Sequence, residues 1–457
     1  MILARILTPQ DFGLIAMVVA VTGFILVFKN LGLSMATVQK AEINHGQVST
    51  LFWINVAMSF ALMLLTMALA PAVAWFYKEP RLLWVTIALA SAFIFGGLAV
   101  QHQALLRRQM RFTALAVIDI SSVAAGLTTG TICGLAGLGY WSLVLMHLAT
   151  AITMTAGVWI ASGWLPGPPV RRSGVREMLA FGGYLTGFGV VNYFSRNFDN
   201  VLIGRCCGTQ PLGLYSRAYS LLLFPIGQIT APMTAVAIPA LSRLQSEPER
   251  YRCFYLKAIK LIAYASMPLV AAMGVLSNEI VRLVLGAEWL DAGPIFMILA
   301  LAAFWSPVAA TVGWIYVSLN QTNRMFIWAC IMTPLTILSF LIGLHWGVIG
   351  VSVSYSTVVT LQIVPQLWFA LRHSPIKLTE VLFSLRYPFM ASLFMAAMMF
   401  GVRAYIASFG VAWILIGSSL AGGVALSMLI VCVRSIRNDA RDILDVGLLV
   451  FGRKTEL

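Results

Sequence analysis

The sequence predicts an all-α polytopic membrane protein, and three observations lead to that fold class. The 457 residues are 60% hydrophobic and only 10% charged, whereas a soluble domain carries about 25% charged residues. Apolar runs of about 20 residues, the length that crosses a bilayer as a helix, recur along the chain. One stretch also occurs twice, at a constant shift of 200 positions. The matched residues are Arg5 with Arg205, Gln10 with Gln210, Gly13 with Gly213, and Leu14 with Leu214.

The apolar runs predict thirteen spans in the chain. They lie near 12–36, 49–76, 81–103, 114–136, 139–164, 178–204, 211–241, 255–277, 291–318, 325–345, 348–371, 386–408 and 410–433. Residues 1–7 are too short to span, and we expect them to be the end of a truncated first helix, which would make fourteen.

A Pro/Gly-rich break, LPGPPVRRSG at 165–174, divides the chain. The predicted organisation is an N-terminal helical bundle at 1–164, a cytoplasmic linker at 165–177, a C-terminal bundle at 178–371, an extra transmembrane pair at 372–433 and a cytoplasmic amphipathic tail at 434–457. Six spans separate the two repeated stretches, and an even number leaves both copies in the same orientation. We therefore expect two parallel-repeat six-helix bundles around a central cavity.

The basic residues orient the spans. Alternate assignment of the connections places 21 Lys and Arg residues on one side and six on the other. The six are Arg5, Lys78, Arg81, Arg205, Arg282 and Arg403. The richer side is predicted to be cytoplasmic and to hold the C-terminus. The net charge of +14 is thus mainly a topology signal, and its spread over many short loops argues against nucleic-acid binding.

The sequence carries no signature of an enzyme, a cofactor or a metal site. A P-loop, a Gly-rich nucleotide fingerprint and an HExxH motif are all missing, and the six cysteines lack metal-ligand spacing. A glycan polymerase or ligase displays its chemistry outside the membrane, whereas the predicted outer connections here are short. We therefore predict a transporter without cofactor or metal.

Charged residues inside the predicted spans are the candidate functional groups, because a membrane-buried charge usually faces a partner or a wet cavity. The cations are Lys29, Arg196 and Arg217, and the carboxylates are Asp119 and Asp199. The surplus of cations suits an anionic substrate such as a pyrophosphate. A repeated turn motif, made of Gly13, Gly213, Leu214 and Tyr215, is the other candidate feature.

Four of these residues also have a structural interpretation. Lys29 either extends to the cytoplasmic surface or lines the cavity. Asp119 either pairs locally with Arg111 or Lys29 or couples transport to an ion. Arg196 and Asp199 are three residues apart on one helix face and can pair with each other.

Four stretches resemble a known family. They are ILARILTPQDFGLIAM, QVSTLFWINVAMSF, QALLRRQMRFTALAVIDI and the run from RNFDNVLIG through GLYSRAY to ALSRLQ. They resemble the Wzx-type polysaccharide exporters, specifically the colanic-acid and lipopolysaccharide exporter branch of the multidrug/oligosaccharidyl-lipid/polysaccharide superfamily. The resemblance implies a flippase of the bacterial inner membrane that moves an undecaprenyl-pyrophosphate-linked oligosaccharide by alternating access. The implied partners are this lipid-linked oligosaccharide, membrane lipids, and a polysaccharide polymerase with its export machinery.

Three alternatives remain open from the sequence. A multidrug or other lipid exporter would have the same fold. A polymerase or ligase is disfavoured by the short outer loops. A structural subunit of a polysaccharide synthase would not need the charges within the spans.

Overall fold

The computed structural model describes residues 2–29, 44–170, 193, 197–406, 410–433 and 436–437. Within these ranges every regular element is a helix, as the apolar runs predict. Ten stretches of this part of the chain are long and apolar enough to cross a membrane, and one of them, Thr322–Leu371, is broken into two helices at Leu344–Trp346. Most of the predicted span at 178–204 and the end of that at 12–36 lie outside the described residues.

The contacts divide the chain into an N-terminal unit, Met1–Ser216, and a C-terminal unit, Arg217–Leu457. The predicted division at the linker, 165–177, is based on the Pro/Gly-rich segment there and stays a prediction. The helices of the N-terminal unit are α1 (Ile2–Ile6), α2 (Pro9–Lys29), α3 (His45–Tyr77), α4 (Leu82–Ala90), α5 (Ala92–Arg108), α6 (Phe112–Leu135), α7 (Trp141–Ser162) and α8 (197–207). Helix α9 (Thr209–Arg243) begins in this unit and continues in the next.

Small residues bring the helices of the N-terminal unit close together. Ser122, Gly126, Gly130 and Gly134 recur every fourth position on α6, and all are buried. A methyl group at Gly130 would lie 3.0 Å from the Met146 Cβ atom of α7 and 3.3 Å from the Leu3 Cδ1 atom of α1. Because lipid tails are as apolar as leucine, such close backbone packing is a main source of attraction between membrane helices.

The start of the predicted linker is bound to α3. The Gly167 amide donates to Ser49 Oγ at 3.0 Å, and the Gly167 carbonyl accepts from Trp53 Nε1 at 2.9 Å. Val170 donates its amide to Thr50 Oγ1 at 2.9 Å. The segment before residue 171 is therefore part of the N-terminal unit, and the rest of the predicted linker lies outside the described residues.

The C-terminal unit has its own core. Its further helices are α10 (Pro248–Val275), α11 (Ser277–Val284), α12 (Ala292–Ser318), α13 (Thr322–Gly343), α14 (Gly347–Leu371), α15 (Leu378–Tyr405) and α16 (Val411–Cys432). Buried polar side chains link α10 to α12, with Tyr251 Oη 2.7 Å from Ser318 Oγ and Tyr255 Oη 2.9 Å from Thr311 Oγ1. Satisfying these hydroxyls inside the core fixes the alignment of the two helices.

Helix α15, the first helix of the predicted extra pair, packs against that core. Val381 and Leu385 lie in the same buried cluster as the residues of α10 and α12. Ion pairs also hold both ends of α15. Arg252 contacts Glu380 at 2.7 Å near the start of α15, and Arg403 contacts Glu279 at 2.9 Å near its end.

Candidate functional site

Asp199 on α8 lies buried, with only 4% of its surface exposed. Its Oδ2 atom accepts a hydrogen bond of 2.8 Å from the Tyr215 hydroxyl of α9, and its Oδ1 atom accepts one of 2.8 Å from the Asn200 amide. The carboxylate therefore links α8 to α9, and the two helices are connected by the turn at Gly208, whose φ of +92° suits glycine. Spacing in the sequence could not show this partner, because the hydroxyl comes from 16 residues away.

Arg196, the predicted partner of Asp199, lies outside the described residues. The pairing of these two side chains therefore stays a prediction. Lys29 is the last residue of α2, and its side chain is likewise outside the described part.

Arg217 is half-buried on α9. It lies eight residues beyond Thr209, the first residue of the helix, which corresponds to about 12 Å at 1.5 Å per residue. The hydrocarbon core of a bilayer is about 30 Å thick, so this depth is well inside a spanning helix. Tyr215 is two positions away, and about 200° of helical rotation separates the two side chains. Arg217 and the Asp199–Tyr215 hydrogen bond therefore occupy different faces of α9.

Asp119 on α6 is exposed, and within the described residues its carboxylate forms neither a hydrogen bond nor an ion pair. The predicted pairing with Arg111 is not formed, because the Arg111 guanidinium donates to the Ala161 carbonyl at the end of α7, at 2.7 Å. Pairing with Lys29 stays a prediction. Asp119 lies about 11 Å along a spanning helix, a depth at which a carboxylate usually faces a partner or a wet cavity. Its role in ion coupling stays a prediction.

The repeated turn motif forms a reciprocal contact between α2 and α9. A methyl group added at Gly13 would overlap the Thr209 carbonyl oxygen, and one added at Gly213 would overlap the Pro9 carbonyl oxygen. Pro9 thus contacts Gly213, and Thr209 contacts Gly13. Two segments related by a two-fold axis make this kind of reciprocal contact. The 200-residue shift identified both glycines, but it did not show that they touch. The parallel repeat of the whole bundles stays a prediction.

Leu214 and Tyr215 of the same motif are buried, at 7% and 0% exposure. They pack the start of α9 into the N-terminal unit. No cluster of His, Cys, Asp and Glu able to hold a metal ion occurs among the residues that the structure describes.

Replacing Tyr215 by phenylalanine should destabilise this turn. The change removes one donor from a buried carboxylate, so we expect the free energy of unfolding to fall by about 1–3 kcal/mol. The matched control is Tyr219→Phe, which removes a hydroxyl lying 3.1 Å from the neutral Tyr355 hydroxyl. Reversible unfolding in detergent, followed by circular dichroism, compares the two variants. An equal or smaller loss for Tyr215→Phe would contradict a charged Asp199 acceptor.

Comparison with known proteins identifies the family. Residues 2–294 match the family described as polysaccharide biosynthesis protein. The chain belongs to this family. The resemblance to the Wzx-type exporters is thereby confirmed at the level of the family. The ten apolar helical stretches also make this member a multi-pass membrane protein.

Two relatives and one solved structure illustrate the similarity. The chain is 24% identical to the lipopolysaccharide biosynthesis protein WzxC of Escherichia coli (strain K12), over 78% of this chain and 73% of that protein. It is 24% identical to the succinoglycan biosynthesis transport protein ExoT of Rhizobium meliloti (strain 1021), over 90% and 82%. The structure resembles the lipid II flippase MurJ in its inward closed conformation, with a TM-score of 0.75, 15% identity and coverage of 93% of both chains. The predicted all-α transporter fold is therefore confirmed.

Proposed function

We propose that this protein is a flippase that moves an undecaprenyl-pyrophosphate-linked oligosaccharide across the bacterial inner membrane by alternating access. The observation that carries the proposal is the MurJ-like fold, which extends over 93% of a chain from a polysaccharide biosynthesis family. The protein acts as a transporter and not as an enzyme. The asymmetry of basic residues supports an orientation with the C-terminus in the cytoplasm.

The substrate's pyrophosphate supplies negative charge that must cross the hydrocarbon core. Arg217 is the leading candidate to hold it, because a half-buried guanidinium at membrane depth matches phosphate oxygens as a fork. Arg196 and Lys29 are further candidates from the sequence. A cationic path lowers the electrostatic cost of moving the headgroup, while the lipid tail can remain in the bilayer.

Ion coupling, where it operates, is better assigned to Asp119 than to Asp199. Asp119 is exposed and free of protein partners among the described residues, so its carboxylate is available to a cation or proton. Asp199 already accepts hydrogen bonds from Tyr215 and the Asn200 amide, and these hold it in a structural role. The lipid-linked oligosaccharide and membrane lipids are the primary partners, with a polysaccharide polymerase and export machinery acting on the product.

Depletion of the protein in its native cells tests this function. We expect lipid-linked oligosaccharide to accumulate on the cytoplasmic leaflet and to disappear again when the wild-type chain is restored. Drug sensitivity measured on the same cells separates this function from multidrug export. Unchanged lipid-linked oligosaccharide together with increased drug sensitivity would overturn the proposal.

A further inference from the structure

A groove of about 890 Å³ lies beside the end of α3, within the N-terminal unit. Its walls come from the last turns of α3, the following turn, the start of α4, and α8. The residues that matter here are Trp75, Phe76, Lys78, Pro80, Leu83 and Arg205. The groove therefore combines aromatic and aliphatic walls with two cations.

The backbone of Lys78 has a fixed conformation at the end of α3. It ends α3 in the left-handed conformation, with φ +57°, and its amide donates to the Ala74 and Trp75 carbonyls. Glycine or asparagine usually occupies such a position, because a side chain there costs free energy. A lysine at a helix C-terminus gains some favourable interaction with the helix dipole. Its exposed ammonium group nonetheless remains available to a ligand in the groove.

Arg205 reaches the same groove from α8. Its Cζ atom lies 5.7 Å from the centre of the Phe76 ring, within the range of a cation–π interaction. This contact uses the face of the guanidinium group and leaves its N–H groups able to donate. The two cations are 127 positions apart in sequence and meet only in the folded chain.

The neighbouring carboxylate does not neutralise these cations. Glu79 accepts two hydrogen bonds from the Arg81 side chain, from Nε at 2.8 Å and from Nη2 at 2.9 Å, and one from the Arg81 amide at 3.4 Å. Its hydrogen bond with the Arg81 side chain lowers the pKa of the Glu79 carboxyl below its usual value, so that this pair stays charged and internally balanced. Among the described residues neither Lys78 nor Arg205 forms an ion pair, and the groove therefore keeps a charge of about +2.

The groove lies on the predicted outer side of the membrane, where two cations in one place are unusual. Cations are depleted on the outer side of inner-membrane proteins, and the charge count leaves only six there. Two of the six line one groove. Trp75, which lines the groove, is 81% exposed. Tryptophan is typical of the depth at which lipid headgroups lie.

We propose that this groove is an exit site that binds the diphosphate headgroup of the translocated lipid in the outer leaflet. The inference rests on the proposed flippase function. The two positive charges match the two negative charges of a diphosphate diester. The Arg205 fork and the Lys78 ammonium provide charge-assisted donors, and the aromatic wall offers an apolar surface beside them.

Photo-crosslinking of the purified full-length protein tests this site. The probe is a diazirine-bearing prenyl diphosphate joined to one sugar, which is a diphosphate diester like the proposed ligand. Mass spectrometry maps the labelled peptides so that binding elsewhere is counted separately. We expect concentration-dependent labelling of residues 71–83. Lys78→Gln or Arg205→Gln should raise the half-saturating concentration about tenfold, and the double variant about a hundredfold. Arg282→Gln, which removes an exposed outer cation from the C-terminal unit, is the matched control and should leave labelling unchanged.

Lys78→Gly separates binding from folding. Glycine suits the left-handed position, so this variant should be at least as stable as the wild type while losing labelling as Lys78→Gln does. Retained labelling in the stable Lys78→Gly variant would overturn the exit site. A diazirine-bearing phosphatidylglycerol is the second probe. Equal dependence of its labelling on Lys78 and Arg205 would assign the groove to ordinary anionic phospholipid and overturn its assignment to the translocated lipid.

Transport assays distinguish failure of this inference from failure of the proposed function. If the wild type moves lipid-linked oligosaccharide and the groove variants are labelled normally, the exit site alone is wrong. If the wild type moves no lipid-linked oligosaccharide, the proposed function is wrong. The exit site is then wrong as well, because no translocated lipid reaches the groove.

Discussion

Arg217→Ala is expected to lower the movement of lipid-linked oligosaccharide about ten- to hundredfold while the protein stays at nearly normal abundance. A charge-assisted hydrogen bond to phosphate contributes about 1.5–3 kcal/mol. Arg217 lies about 12 Å inside α9, the spanning helix that begins with the repeated turn motif. Arg217→Lys should recover only part of the activity, because an ammonium keeps the charge but not the planar fork. The measurement is lipid-linked oligosaccharide on the cytoplasmic leaflet, with membrane protein quantified in parallel.

Arg243→Ala is the matched control for this experiment. Arg243 is the exposed last residue of the same helix, α9, and its removal deletes an equal charge outside the span. Normal transport by Arg217→Ala at normal abundance would contradict a substrate-binding role. Lost transport together with lost protein would assign Arg217 to the structure alone.

Gly13→Ala and Gly213→Ala are expected to impair the protein to nearly the same extent. In each case the new methyl group overlaps a carbonyl oxygen of the opposing helix, that of Thr209 or of Pro9. Overpacking of this kind costs about 1–3 kcal/mol, and it forces the ends of α2 and α9 apart. If these ends must meet during the transport cycle, both variants also lose transport.

The double variant and a distant glycine complete this test. Gly13→Ala/Gly213→Ala should cost less than the sum of the single variants, because one separation of α2 from α9 relieves both overlaps. Gly227→Ala on α9 is the control, since no atom lies within 4 Å of the added methyl group. Thermal stability and transport are measured for all four proteins. A harmful Gly13→Ala beside a harmless Gly213→Ala would contradict the reciprocal contact.

Hydropathy predicted the described helices closely because a bilayer fixes the length of an apolar span. The prediction at 49–76 corresponds to His45–Tyr77, and that at 291–318 to Ala292–Ser318. Helix ends differ more where a helix extends into the aqueous loop. Thus α10 begins at Pro248 and not near 255, because Pro is favourable in the first turn of a helix and Tyr251 is buried in the core.

The sequence predicted side-chain partners much less well than it predicted helices. Spacing along one helix suggested Arg196 for Asp199, whereas the described hydroxyl partner, Tyr215, comes from the next helix. Spacing likewise suggested Arg111 for Asp119, whereas Arg111 donates to the Ala161 carbonyl at the end of α7. Carbonyls at helix ends lack partners within the helix and compete for nearby arginines, and periodicity does not show which end is close.

The proposed function requires that this protein moves a lipid-linked oligosaccharide between leaflets without a partner protein. The direct measurement uses purified protein in sealed vesicles whose outer leaflet holds such a lipid with a short, labelled glycan. A membrane-impermeant glycosidase then reports the fraction still accessible from outside. We predict that this fraction falls with time in vesicles with the wild-type protein and falls about ten- to hundredfold more slowly with Arg217→Ala. The same accessible fraction in vesicles with and without protein, under every imposed ion gradient, would contradict the account.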